Sequence, residues 1–281
     1  METIVLGFDG SPSSMVALDW VAERAAAGPR RVEVVMIGGT LLQDDFGRDA
    51  GLIEAERRLR DRAPDAEVDA HRFTGRMPDA LLERARGADL LVIGSHRGRP
   101  LWSAVAAWMP LRVASRTRTA LAVIPDDWPE RWTTNAGGVV VGVDDDDSSL
   151  AAVDFAAAEA AAAGVRLTLV HTWAMPVPQM EGSVALLASP IETRATHRRV
   201  IRDAITRARA AHPDLLTEQI IEQTSPATAL LRASRAANLL VLGTHHRTLF
   251  TGAVLGSTGQ DVLSQAHVPV CVVPSARTDS V

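Results

Sequence analysis

The chain has 281 residues, of which 47% are hydrophobic and 22% charged, and its formal net charge is −5 at pH 7. This composition and length predict a globular protein of two domains, and the negative charge argues against binding nucleic acid or a membrane surface. No stretch approaches the roughly 20 apolar residues that cross a bilayer. No signal sequence opens the chain either, so we expect a cytoplasmic protein.

Short apolar segments alternate with longer amphipathic ones, which predicts parallel β-α-β units and a doubly wound sheet. Ligands of such sheets bind beyond the carboxyl ends of the strands. In the first half the predicted strands are 4–8, 32–37, 68–73, 90–93 and 120–124, and the predicted helices are 13–27, 49–62, 78–86 and 101–115. In the second half the predicted strands are 139–143, 167–171, 217–222, 239–242 and 268–273, and the predicted helices are 149–163, 191–211, 226–236 and 253–266.

The two halves are copies of one domain. Val5-Leu6-Gly7-Phe8-Asp9 returns as Val140-Val141-Gly142-Val143-Asp144, and Ala88–His96 returns as Ala237–His245. Self-similarity at this spacing indicates two domains rather than an array of small repeats. The predicted first domain is 1–125, the linker, rich in Pro and Gly, is 126–138, and the second domain is 139–281. The second copy carries extra residues around 174–190, which form either a covering loop or a lid or partner contact.

Two residue types are missing from the chain. All 29 basic residues are arginines, so no lysine can reach a phosphate from a P-loop or form a Schiff base, and tyrosine is absent as well. Cys271 is the single cysteine. It lies in an apolar run, so it is predicted to be a buried core residue.

The most specific motif lies in the second copy. Gly243-Thr244-His245-His246 is followed by nine residues and then by Gly256-Ser257-Thr258-Gly259. Backbone N–H groups freed by glycine converge on phosphate oxygens, and Ser257 and Thr258 add hydroxyl donors. Such a cradle of N–H groups and a helix dipole suits a chain without lysine.

At this motif the chain resembles the universal stress protein family in its tandem two-domain form. The resemblance extends to the Val-Gly-Val-Asp start of the copy, to Ser225-Pro226-Ala227 and to the closing run 268–274. It implies two Rossmann-like α/β domains, each with a five-stranded parallel sheet, paired through their last strands about a pseudo-two-fold axis. We therefore expect strands 120–124 and 268–273 to lie side by side, and a homodimer stays open as an alternative.

The resemblance also implies an adenine-nucleotide site in the second copy. Asp144 falls on the ribose and adenine side, and Thr172 falls where the family contacts adenine through its backbone. His246 replaces a family glycine, and Asp145, Asp146 and Asp147 bring negative charge that opposes a triphosphate in the absence of Mg²⁺. We interpret Asp146 and Asp147 as helix-capping residues. The predicted nucleotide-binding residues are Asp144, Thr172, Gly243, Thr244, His246, Gly256, Ser257 and Thr258, for ATP alone or with Mg²⁺.

The first copy departs from this pattern. The loop from Gly94 to Gly98 has one residue too many, and Ala107-Trp108 replaces the Gly-Ser pair. The large side chain of Trp108 is predicted to fill the space that a phosphate group would occupy. We therefore interpret the nucleotide site of the first copy as degenerate.

Two function classes remain. The first is a regulatory protein of the stress response that binds an adenine nucleotide and hydrolyses ATP slowly at most; the second is a nucleotide-free interaction protein. His245 and His246 with Asp144 and Asp145 offer metal ligands, but the resemblance already explains this loop, so we assign no metal site. His197 and His212 are read as part of a solvated helix face. No nucleophile–base pair is recognised.

Overall fold

A computed structural model of the chain describes residues 1–38, 45–96, 109–128, 137–173, 190–244 and 255–275. The chain divides into two compact units. The first comprises Met1–Thr134 and Thr244–Pro274, and the second comprises Asn135–Gly243 and Ser275–Val281.

Strands and helices alternate along the first half of the chain, as predicted. They are β1 (Glu2–Gly7), α1 (Pro12–Ala26), β2 (Arg30–Gly38), α2 (Asp45–Arg62), β3 (Glu67–Thr74), α3 (Asp79–Arg84), β4 (Leu90–Ser95), α4 (Met109–Ala114) and β5 (Ala120–Pro125).

The second half repeats the alternation. Its elements are β6 (Val139–Gly142), α5 (Asp147–Ala163), β7 (Leu167–Thr172), α6 (Pro190–Ala211), β8 (Thr217–Glu222), α7 (Pro226–Ala233), β9 (Leu239–Thr244), α8 (Ser257–Gln265) and β10 (Val270–Pro274), with a short 3₁₀ helix at Ser234–Ala236. No helix in the described ranges is both long and apolar enough to cross a membrane.

In the first unit the strands run in the order β3-β2-β1-β4-β5-β10. Neighbours from β3 to β5 are parallel, whereas β5 and β10 are antiparallel with Cys271 opposite Ala122. This confirms the predicted pairing of the last strands of the two copies. In the second unit the order is β9-β6-β7-β8, and every pair is parallel.

The central strands are buried on both faces, which is why they read as continuous apolar runs, whereas the edge strands β3 and β8 are mostly half-buried or exposed. In the central strands β1 and β4, Leu6 and Leu91 are fully buried. The division into units differs from the sequence-based domains because β10, from the end of the chain, is hydrogen-bonded to β5. The boundaries 1–125, 126–138 and 139–281 stay a prediction.

Two helices begin at a Ser-Pro pair. Ser11 precedes α1 and Ser225 precedes α7, and each accepts a backbone N–H three residues later while a proline occupies the first helical position. Only Met109–Ala114 of the helix predicted over 101–115 falls within the described residues. Within the linker, Trp128 is half-buried. The insertion 174–189 lies outside the described ranges.

Cys271 provides a test of the β5–β10 pair. The thiol is 1% exposed, as the sequence predicted, so it should react with an alkylating reagent only after unfolding. We expect mass spectrometry to show no adduct on the native protein and one adduct per chain in denaturant. Rapid labelling of the native chain would contradict the pairing, because β10 would then have to leave β5 easily.

Candidate functional site

The predicted nucleotide-binding residues fall in both units. Asp144, Thr172 and Gly243 belong to the second, at the carboxyl ends of β6, β7 and β9. The first unit contains the other described members: Thr244 at the end of β9, Gly256 just before α8, and Ser257 and Thr258 in the first turn of that helix. His246 and the neighbouring His245 lie outside the described residues.

The start of α8 is free of side-chain capping. Gly256 is the N-cap residue, with φ −56° and ψ 161°, and no side chain caps the helix. A Cβ built on Gly256 would meet no atom of the described residues within 4 Å. Any residue can adopt this backbone conformation, so what the glycine provides is open space in front of the first N–H groups of the helix. Those groups carry the positive end of the helix dipole, which favours an anion.

A buried hydroxyl group lies at the end of β9. Thr244 is 7% exposed, and its Oγ1 atom has no hydrogen-bond partner among the described residues. Leaving such a group unsatisfied costs about 1–3 kcal/mol. The Thr244 hydroxyl group can both donate and accept a hydrogen bond.

The aspartates that follow β6, Asp144–Asp147, have different roles. Asp144 is exposed, and its Oδ1 accepts the N–H of Asp145 at 2.8 Å. Asp146 Oδ1 accepts the N–H of Ser149 at 3.3 Å, so Asp146 caps α5 as predicted. The side chain of Asp147 lies outside the described residues. Asp144 thus remains accessible for a polar ligand group.

The interpretation of His197 as part of a solvated helix face is wrong. His171 is 2% exposed in β7, and its Nδ1–H donates to the carbonyl oxygen of Val143 at 2.8 Å. Its Nε2 lies 2.8 Å from Nδ1 of His197, and the His197 ring stacks on Trp173 with centroids 5.3 Å apart. The buried histidine needs a second polar partner, and α6 supplies His197.

The cluster borders a cleft of about 440 Å³ in the second unit, lined by Trp173, His197, Arg198, Gln219, Ile221 and Gln223. Burial and the neighbouring His171 lower the pKa of His197. The charges of Asp144 and Asp145 act in the opposite direction. The described residues contain no group of three or more potential ligands arranged to hold a metal ion.

A second cleft, of about 460 Å³, lies at the carboxyl ends of β1, β2 and β4 in the first unit. Most of its lining is apolar. Asp9 lies at its edge, where burial raises the pKa of the carboxyl group, but hydrogen bonds from Ser11 and Ser14 and the charge of His96 hold the pKa below its ordinary value. The predicted obstruction by Trp108 falls outside the described residues, so it stays a prediction.

The same cleft contains a nucleophile–base pair that the sequence did not reveal. Ser13 Oγ lies 3.2 Å from His96 Nε2, and His96 Nδ1 lies 3.3 Å from Asp126 Oδ2. Ser13 starts α1, His96 follows β4 and Asp126 follows β5. The sequence held one sign of this group, a difference between the two copies. Asp126 follows Pro125 in the first copy, whereas Ser275 follows Pro274 at the equivalent position of the second.

Gly94 allows this arrangement. A Cβ on Gly94 would lie 2.2 Å from the carbonyl oxygen of Ser13 and 2.8 Å from the backbone nitrogen of Ser14. Only glycine therefore lets the first turn of α1 contact the end of β4 so closely, and this contact brings Ser13 near His96.

Comparisons with known proteins agree with this architecture. The profile of the universal stress protein family matches residues 1–107 and 137–274. Two universal stress proteins of Mycobacterium tuberculosis strain H37Rv are 24% and 27% identical to the chain; the alignments cover 96% of it and 94% and 96% of those proteins. The crystal structure of a universal stress protein from Archaeoglobus fulgidus shares the fold, with a TM-score of 0.69, 16% identity and 98% of each chain covered.

Replacing Gly94 with Ala should destabilise the first unit. The added methyl group meets backbone atoms, so α1 has to shift, at a cost of about 1–3 kcal/mol. Gly142→Ala is the matched control, because its Cβ meets only leucine side chains at 3.4 Å and beyond. Thermal unfolding followed by circular dichroism measures both variants. Equal melting temperatures for the two would show that the contact between α1 and β4 is not tight.

Replacing Asp145 with Asn should lower the pKa of His197 further, because a negative charge that favours the imidazolium is removed. NMR titration of the imidazole protons measures the shift, and Asp214→Asn serves as the control. The depressed pKa also fixes the sign of the stability effect. The contribution of His197 to the free energy of unfolding is fully present above pH 6.5, its ordinary pKa. It is lost as the pH falls through the pKa of His197 in the folded protein. An unchanged His197 titration in Asp145→Asn would contradict the assigned electrostatics.

Proposed function

The chain belongs to the universal stress protein family, and on that premise we propose that it is a cytoplasmic regulatory protein that binds ATP once per chain, through its second copy. Membership in this family supports a role in the response to stress. The nucleotide-binding role rests on the residues that follow β6, β7 and β9 and begin α8.

The start of α8 carries the proposal. A helix N-terminus without a side-chain cap, preceded by a glycine with open space around it, is suited to a phosphate group. The hydroxyl groups of Ser257 and Thr258 belong to the same turn. Thr244, whose buried hydroxyl group has no partner in the part of the chain that the structure describes, would supply a further donor in the same unit. These groups need no lysine to bind a phosphate.

The remaining groups suit the nucleoside part of ATP. Asp144 is an exposed carboxylate at the end of β6, able to accept hydrogen bonds from ribose hydroxyls. Thr172 ends β7 and is half-buried, which suits a backbone contact with adenine.

The charge of Asp144 and Asp145 favours ATP accompanied by Mg²⁺. Two exposed carboxylates repel a free triphosphate, and the cation reduces this repulsion. The proposed role is binding rather than turnover, with slow hydrolysis at most.

Gly256→Trp tests the site. The bulky side chain occupies the space in front of α8, so binding should weaken at least tenfold, which is about 1.4 kcal/mol. The backbone at Gly256 does not require glycine, so the variant should fold. Gly51→Trp is the matched control, because Gly51 lies in α2 and also has no atom within 4 Å of its Cβ position. Isothermal titration with Mg-ATP measures affinity and stoichiometry for all three proteins.

The expected outcome is one site per chain with equal affinity in the wild type and in Gly51→Trp, and binding weakened tenfold or beyond detection in Gly256→Trp. A stoichiometry of two, or binding that survives Gly256→Trp, would refute the assignment to the second copy. Absence of binding heat in the wild type, together with absence of copurified nucleotide, would favour the nucleotide-free interaction protein instead.

A further inference from the structure

We propose that Ser13, His96 and Asp126 form a catalytic triad that hydrolyses uncharged esters of small apolar carboxylic acids in the cleft of the first unit. The proposal does not depend on nucleotide binding by the second copy. It rests on the order of the three side chains, on the lining of the cleft and on the backbone that holds them.

The hydrogen bonds place each group in the role that such chemistry needs. The Asp126 carboxylate accepts from Nδ1–H of His96, and this leaves Nε2 free to accept from Ser13 Oγ, which also lies 3.0 Å from Ser11 Oγ. The Oγ–Nε2 distance of 3.2 Å is at the upper end of the usual range, which is common before a substrate is bound. Ser13 is only 4% exposed, and that exposed part faces the cleft, where Ser13 and His96 both line the wall.

The three residues are held by rigid elements. His96 and Asp126 directly follow β4 and β5, which are paired in the sheet, and Ser13 is the second residue of α1. The backbone N–H of Asp126 donates to the carbonyl oxygen of Ser95 at 3.0 Å, which ties the acid to the residue that precedes the base. The contact at Gly94 fixes the nucleophile from the other side.

The first turn of α1 suits the developing oxyanion. The N–H of Ser14 is bonded to Ser11 Oγ, but the N–H of Ser13 has no acceptor among the described residues. It lies at the positive end of a helix of 15 residues. A tetrahedral oxyanion formed on Ser13 would lie next to this donor.

The cleft selects the substrate class. Its wall near the triad is apolar, with Met77, Leu81, Ile93, Met109 and Pro110, which suits a short acyl chain. Asp9 lies at the same cleft, and its lowered pKa keeps it ionised at neutral pH. A substrate with a carboxylate or phosphate would be repelled. The substrate is therefore a neutral ester.

The reaction balances with water as the only co-reactant. His96 Nε2 takes the Oγ–H proton while Oγ forms a bond to the ester carbonyl carbon. The intermediate collapses, the bond to the alcohol oxygen breaks, and His96 returns the proton to that oxygen. His96 then takes a proton from water, the resulting hydroxide attacks the acyl carbon, and Ser13 leaves with its proton restored. One ester and one water give one acid and one alcohol.

The second copy offers a natural control. By the alignment of the repeats, Ser148 stands where Ser13 stands and Ser275 stands where Asp126 stands. The second copy therefore has the serine without the acid. One reactive serine per chain is expected.

An alkyl fluorophosphonate tests the nucleophile directly, because an activated serine displaces fluoride and keeps the phosphonyl group. The full chain should gain one adduct, which peptide mapping places on Ser13. Hydrolysis of p-nitrophenyl butyrate should fall on the order of 10²-fold or more in Ser13→Ala, His96→Gln and Asp126→Asn, and stay unchanged in Ser148→Ala.

Circular dichroism of each variant checks the fold. If Ser13→Ala unfolds, Ser13→Cys replaces it: its thiol should be alkylated at least tenfold faster with His96 present than in the double variant with His96→Gln. An adduct that maps to another residue, hydrolysis that persists in folded Ser13→Ala, or alkylation that is independent of His96 would overturn the proposal.

Discussion

The carboxyl ends of buried parallel strands determine where this chain can place chemistry. The central strands are closed to water on both faces, so the polar side chains near them lie mainly at the residues that follow each strand. Asp9, His96 and Asp126 follow strands of the first unit, and Asp144 follows one of the second. Each site is thus a consequence of strand order, and the loops between the strands determine what the site does.

The period of the apolar residues predicted the fold because it reflects burial, which acts locally. The alternation of strands and helices was available in this way, whereas the β5–β10 pair was expected from the family resemblance. The group formed by Ser13, His96 and Asp126 was available from neither. Ser13 and His96 are 83 residues apart, and only the placement of β4 beside β1 brings them together.

His197 shows a second limit of sequence reasoning. Its neighbours on α6 include several arginines, so the helix pattern indicated a solvated face. The environment of His197 is instead set by His171, a buried ring whose two nitrogens both need partners. A buried polar side chain in a strand needs a hydrogen-bond partner, and the helix that packs on the strand has to supply it. That requirement becomes visible only once the covering helix is known.

The β5–β10 pair has a consequence for the synthesis of the protein. The first unit needs Val270–Pro274 to cover β5, yet these residues are synthesised long after β5. At about 5–20 residues per second, β5 waits on the order of ten seconds with an unpaired edge. An open edge of this kind pairs readily with other chains. The nascent protein therefore passes through an interval in which it is prone to aggregation, and chaperones have time to act before the last strand arrives.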